Sequence, residues 1–307
     1  MHRRQFIKAC AGAAATASIA GSMPAVASNG YFSRPGLQLF TVMTQLDKDF
    51  DGTLKTVSDI GYRQVETMGS FNMSAKELQT KLLENNLVTL SQHLMPGDLY
   101  QSFSRYNRGE LTWDEIIKIF IHAFDFSKVE TFIEEAINRA IPLGQKYIVW
   151  QVNWQKEYGM KEVKQHLKAF RTAGKMCKEA GLTFAFHNHD HEFQPLKGTT
   201  AYDILVQETD PDEVKMEMDF MWASYAGVDP AAYLRKYPGR YKLAHLKDHD
   251  KSGKIVLPGQ GVEDFTELLK AAEEAGIEQS YFEFDQPVNP IEEITAAYKY
   301  LSAIPRK

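Results

Sequence analysis

The sequence predicts a single (β/α)8 barrel. Three observations carry this. Short apolar runs alternate with longer amphipathic segments, in eight strand–helix units. The 307 residues accommodate the ~250 of such a barrel plus one insertion. Third, His187, Asp219, His245 and Glu283 stand at the ends of consecutive runs, 32, 26 and 38 residues apart. That is about one strand–helix unit each, and these barrels keep their sites at the C-terminal strand ends. A doubly wound open sheet is the alternative. It is disfavoured because Val42-Met43-Thr44, and no Gly-rich phosphate turn, follows the first run.

Residues 1–27 read as an export leader and not as part of the barrel. Arg3-Arg4-Gln5-Phe6-Ile7-Lys8 is a twin-arginine pattern, Ala9 to Gly21 is weakly apolar, and Ala25-Val26-Ala27 is a cleavage site. The apolar stretch is too short for a membrane span. The expected organisation is thus a leader over 1–27 and one domain over 28–307, exported to the periplasm or beyond. Cys10 leaves with the leader, so Cys177 has no partner and is expected to be a structural thiol.

The units follow in order. Strands are expected at Gly36–Val42, Gln64–Thr67, Leu87–His93, Tyr147–Val152, Leu182–His187, Val214–Asp219, Tyr241–Leu246 and Ser280–Phe284. Helices are expected near Lys48–Ile60, Ser74–Glu84, Lys128–Ile141, Met160–Ala180, Thr200–Glu208, Pro230–Lys236, Val262–Ala275 and Ile291–Ser302. Gly144, Gly181 and Gly276 sit where helices should stop. Leu94–Phe126 departs from the rhythm and is rich in aromatic residues. Packing against the barrel rim is its expected role, with a lid or a contact in a homo-oligomer as alternatives.

Strand parity sorts inside from outside. Phe184 and Phe186, Met216 and Met218, Ala244 and Leu246, and Phe282 and Phe284 share one parity, suited to the layer under the helices. His187 and His189, Glu217 and Asp219, His245 and Lys247, and Glu283 and Asp285 share the other. Glu66 and His93 join this set from strands two and three. Buried polar groups are costly unless satisfied, so a cluster of them asks for a ligand or a network. Two imidazoles and two carboxylates suit a divalent ion. The expected ligands are His187, Asp219, His245 and Glu283. Mn²⁺ is the first choice, and Mg²⁺, Co²⁺ and Zn²⁺ are alternatives.

Several segments together resemble a known family. They are Gly36-Leu37-Gln38-Leu39-Phe40-Thr41-Val42, Gly61-Tyr62-Arg63-Gln64-Val65-Glu66, His187-Asn188-His189-Asp190-His191-Glu192-Phe193, Glu217-Met218-Asp219-Phe220-Met221-Trp222, His245-Leu246-Lys247-Asp248 and Glu283-Phe284-Asp285-Gln286. The chain resembles the sugar phosphate isomerase/epimerase group with a xylose-isomerase-like TIM barrel, from about Gly36 to Ile304. The resemblance implies a divalent metal held at the ends of strands five to eight. Asp219, His245 and Glu283 match three of its four ligand positions. His187 stands where many relatives carry a glutamate that trades the substrate proton with the strand-eight glutamate.

The implied chemistry is metal-assisted removal of a proton next to a carbonyl of a small carbohydrate. Glu283, His189 and Glu66 are the candidate catalytic groups. His93, Asn188, Trp222, Lys247 and Asp248 are the candidate substrate contacts. Return of the proton gives an isomerase or epimerase, the first reading. Loss of a β-substituent gives a lyase or dehydratase on a keto-sugar or keto-glycoside, the alternative. A non-catalytic sugar-binding protein is the third. Net charge is -5, and without the leader 32 basic residues stand against 40 acidic ones. That excess disfavours nucleic acid as a partner, and no membrane association is expected once the leader is removed.

Overall fold

The computed structural model describes residues 34–97, 99–151 and 158–305. The leader, Asn153 and Trp154 lie outside the described residues. Eight parallel strands close into a barrel in chain order: β1 (Gly36–Gln38), β2 (Gln64–Met68), β3 (Val88–His93), β4 (Tyr147–Trp150), β5 (Thr183–His187), β6 (Val214–Asp219), β7 (Tyr241–Leu246) and β8 (Gln279–Phe282). Closure pairs Gly36 with Tyr281 and Leu37 with Phe282. Gly36 is required here, because a Cβ would collide with the Tyr281 ring.

Helices cover the outside: α1 (Phe50–Ile60), α2 (Ala75–Glu84), α3 (Leu99–Asn107), α4 (Trp113–Ala123), α5 (Val129–Leu143), α6 (Met160–Glu179), α7 (Ala201–Glu208), α8 (Phe220–Tyr225), α9 (Pro230–Lys236), α10 (Phe265–Ala275) and α11 (Pro290–Ala303). Their starts follow local chemistry. Asp49, Ser74, Thr200, Asp229 and Asp264 each accept a backbone N–H in the first turn of the helix they precede.

The core has the two layers that parity requires. Tyr147, Val149, Ala185, Leu243 and Tyr281 fill the barrel interior. Phe184, Phe186, Met216, Met218 and Leu246 belong to the larger layer beneath the helices. Trp150 lies in that outer layer against Phe124, Phe132 and Phe170, so it packs and does not line the mouth. Cys177 is buried there too, and burial pushes its thiol up to about 12.

Three expectations shift. The first strand ends at Gln38, whose side chain accepts the Phe40 N–H and turns Leu39–Val42 into a 3-10 helix. Pro142 lies inside α5, where the lost donor falls in the last turn, and Gly144 in the left-handed region ends the helix instead. Leu94–Phe126 folds as α3 and α4. Thr112 and Glu115 form a reciprocal N-terminal box on α4. Asp47 accepts hydrogen bonds from Tyr100 and Ser104 of α3, which ties the insertion to the segment after β1.

Candidate metal centre

Register converts the strand-end residues into one cluster. His187 pairs with Glu217 across β5 and β6, and Asp219 with His245 across β6 and β7. Gln38 pairs with Glu66. Glu283 and Lys247 follow directly on β8 and β7. Glu66, His187, Glu217, Asp219, His245 and Lys247 are all buried, and Glu283 nearly so.

Two overlapping groups have ligand atoms within 4.8 Å of one another: His187, Asp219, His245 and Glu283, and His93, His187, Glu217 and His245. They share both imidazoles but use opposite nitrogens. His187 Nε2 is 3.6 Å from Asp219 Oδ2, while its Nδ1 is 2.9 Å from Glu217 Oε2. His245 Nδ1 is 2.9 Å from Glu283 Oε2, while its Nε2 is 2.8 Å from Glu66 Oε2. A neutral imidazole has one lone pair, so it can serve only one of the two groups. With the lone pairs toward Asp219 and Glu283, both remaining N–H groups are donated to buried carboxylates. That is the carboxylate–histidine–metal arrangement, which fixes the tautomer and raises ligand basicity. Asp219 Oδ2 accepts no hydrogen bond, and the cation that faces it is the Lys247 ammonium, 3.1 Å away. The donor set therefore fits a divalent ion on the Asp219/Glu283 side.

Below this group lies a fully engaged network. Glu66 accepts from Gln38 Nε2 at 2.8 Å and Ser91 Oγ at 2.5 Å, besides His245. His93 Nε2 lies between Glu217 Oε2 at 2.9 Å and Glu66 Oε2 at 3.1 Å, with its ring stacked on His245. Glu66 and His93, read from sequence as a catalytic group and a substrate contact, meet His245 and Glu217 in this network.

The electrostatics follow from burial set against neighbours. Burial, followed by the charges of His245, His189, His93 and Lys247, holds His187 well below the usual imidazole range. Burial pulls His245 the same way, but Glu217 and Glu283 overcome it and raise His245 well above that range. His93, under the same contest with Glu66 and Glu217, rises to about 9. Burial and the nearby Glu66 charge raise Glu217 to about 7. A cation must therefore displace a proton from His245 but not from His187. Metal affinity is expected to rise with pH through the neutral range, by about tenfold per unit for one released proton. Calorimetric titration with Mn²⁺ at several pH values measures this.

Lys247 sets a buried ammonium beside these carboxylates. Its Nζ lies 3.1 Å from Asp219 Oδ2, 2.6 Å from Glu283 Oε2 and 2.7 Å from Asp285 Oδ1. Burial would discharge it, but these three carboxylates push it well above the usual amine range. Burial likewise raises Glu283, yet Lys247 and His245 prevail and hold it well below the carboxylate range.

The rim is organised by short side chains. Asn188, read from sequence as a substrate contact, donates Nδ2–H to the Asp219 carbonyl and accepts the Asp219 N–H, so it aligns the end of β6. Asp219 Oδ1 accepts the Trp222 N–H and so caps α8. The Trp222 ring stands 5.6 Å from His189, and burial pulls His189 down to about 3. Glu192 folds back to accept the His189 N–H and pairs with His191, outside both ligand groups.

Asp248 accepts the backbone N–H groups of Gly259, Gly261 and Glu263 at 3.0–3.1 Å. Read from sequence as a substrate contact, it holds the rim loop through these bonds. Asp248→Ala is expected to lower stability by about 2–3 kcal/mol, the scale of charge-assisted hydrogen bonds lost from a buried acceptor. The midpoint of urea unfolding reads this.

Sequence reasoning placed Glu217 and Asp285 inside the barrel without giving either a role, and it assigned nothing to Gln38 or Ser91. The inward parity of Glu217 was the available signal. Gln38 and Ser91 act by pairing across the barrel, which linear spacing does not show.

Fold and site together define a parallel eight-stranded barrel with a buried histidine–carboxylate group able to hold a cation at its C-terminal end. A profile of the family described as "Xylose isomerase-like TIM barrel" matches residues 54–303, and the chain belongs to that family. It is 29% identical over 152 residues to inosose dehydratase of Lacticaseibacillus casei, covering 42% of this chain and 50% of the relative. The chain thus spans about half the length of that curated relative. A solved sugar phosphate isomerase/epimerase from Parabacteroides distasonis is 25% identical with a TM-score of 0.73, covering 92% of this chain and 98% of that one. The IOLI protein, solved with a bound zinc atom, shares the fold at 17% identity and a TM-score of 0.62, covering 89% and 100%.

Proposed function

We propose that this protein is a divalent-metal-dependent lyase that removes water from a cyclic keto-polyol or keto-sugar. The carrying observation is the asymmetry of the site. Glu283 is an ionised carboxylate in contact with the ammonium of Lys247, at 2.6 Å, while the facing strand-five position is a neutral histidine, His187. Epimerisation through two glutamates needs a carboxylate at both positions. Elimination needs one base and one acid, and Glu283 and Lys247 are such a pair. The similarity to inosose dehydratases supports the same choice, which puts elimination ahead of the isomerase reading.

His187, Asp219, His245 and Glu283 would hold a divalent ion, which when bound would supply Lewis acidity that acidifies a C–H next to a ketone. Mn²⁺ suits the mixed nitrogen and oxygen donors. Glu283 accepts that proton as the C–H bond breaks. Lys247 donates a proton to the β-hydroxyl, whose C–O bond breaks as the C=C bond forms, and water leaves. The proton on Glu283 then returns to Lys247 across their direct contact. Trp222 and His189 offer an apolar wall with a polar edge for the ring, which suits an uncharged carbohydrate. The twin-arginine leader, in the same reading, places this chemistry outside the cytoplasm.

Chelator treatment followed by Mn²⁺ restoration tests the metal dependence. Dehydration of an inosose or a keto-sugar is expected to stop and then return. Dehydration that continues without metal would refute the proposal.

A further inference from the structure

The three carboxylates around Lys247 resemble a cation site more than an ordinary ion pair. The side chain is only 1% exposed, and a buried ammonium is costly unless it is well paired. Two of its partners, Asp219 Oδ2 and Glu283 Oε2, are the oxygens that face the cation position of the ligand group. The third, Asp285 Oδ1, belongs to Lys247 alone. The fully buried Asp219 Oδ2 accepts no hydrogen bond, and Asp285 Oδ2 is a second buried oxygen without one. Carboxylate oxygens shared between two neighbouring cations, plus one private carboxylate, are the donors a hard divalent ion takes. Paired metals of this kind stand about 3.5–4 Å apart.

We propose that Lys247 occupies the seat of a second divalent cation, so that the site takes one metal ion and not two. This deepens the metal-dependent reading above and rests on it. Lys247 supplies one fixed positive charge beside the metal, together with a transferable proton that a second ion would lack. Lys247 thereby sets both the stoichiometry of the site and its acid.

The test is metal counting. Full-length protein and the variants Lys247→Ala and Lys247→Met are equilibrated with Mn²⁺, freed of loose ion and assayed by elemental analysis, with electron paramagnetic resonance on the same samples. The parent is expected to hold one Mn²⁺ per chain with an uncoupled spectrum. Each variant is expected to hold two, with the exchange coupling of a carboxylate-bridged pair. Adding Asp285→Asn to either variant is expected to return the count to one. Circular dichroism and thermal unfolding identify a variant that has lost its fold, and the other variant then carries the comparison. Two ions in the parent, or one ion in a folded variant, would overturn the inference while leaving a metal-dependent lyase standing. No ion in the parent would overturn both.

Discussion

Glu283→Gln is expected to lower kcat by about 10²–10⁴-fold, the usual contribution of a positioned general base. The amide keeps the shape of the side chain and an oxygen toward His245, but it cannot take a proton from carbon. It also removes one of the three carboxylates that hold Lys247 charged. The loss should therefore exceed that of a ligand substitution alone. Rate measurement at saturating Mn²⁺ separates the two effects, because a weakened ligand is compensated by metal and a missing base is not. Full recovery of kcat at high Mn²⁺ would remove Glu283 from the proton-transfer role.

The second large effect distinguishes the two overlapping ligand groups. If the ion sits against Asp219 and Glu283, Glu217 is a backing residue that accepts from His187 Nδ1 and His93 Nε2. Glu217→Gln should then weaken Mn²⁺ binding by about 10–100-fold, the range for outer-shell partners. That is about 1.4–2.8 kcal/mol of binding free energy. Asp219→Asn, which removes a direct ligand, should weaken binding more. If the ion instead sits against His93 and Glu217, the order reverses. Calorimetric titration of both variants at one pH gives the ranking.

Much of this was legible in the sequence, for identifiable reasons. β6 and β7 run as expected from Val214 to Asp219 and from Tyr241 to Leu246; apolar and polar residues alternate cleanly in β6, and β7 is a short apolar run broken by Lys242 and His245. The inward set followed from the same alternation. What the sequence concealed was depth along the barrel axis. Glu66, His93 and Glu217 share inward parity with Asp219 and His245, but parity does not say which residues lie under the ion and which face it. Only the register between strands, His187 against Glu217 and Asp219 against His245, separates them. Asp248 shows a second limit. Its place beside Lys247 suggests a cavity, but the neighbouring residue of a strand end points the other way, into the loop that it ties down. Pro142 shows a third: one residue from the helix end it removes a single backbone hydrogen bond, and the helix still runs on to Leu143.

The central claim is that the site eliminates water by means of one carboxylate and one ammonium. Proton NMR of the Mn²⁺-loaded protein acting on a cyclic keto-polyol in D₂O tests it most directly. The expected result is a new unsaturated product, with loss of the β-hydroxyl-bearing carbon's original signal. Deuterium appearing beside the ketone while every hydroxyl-bearing carbon is retained would contradict it.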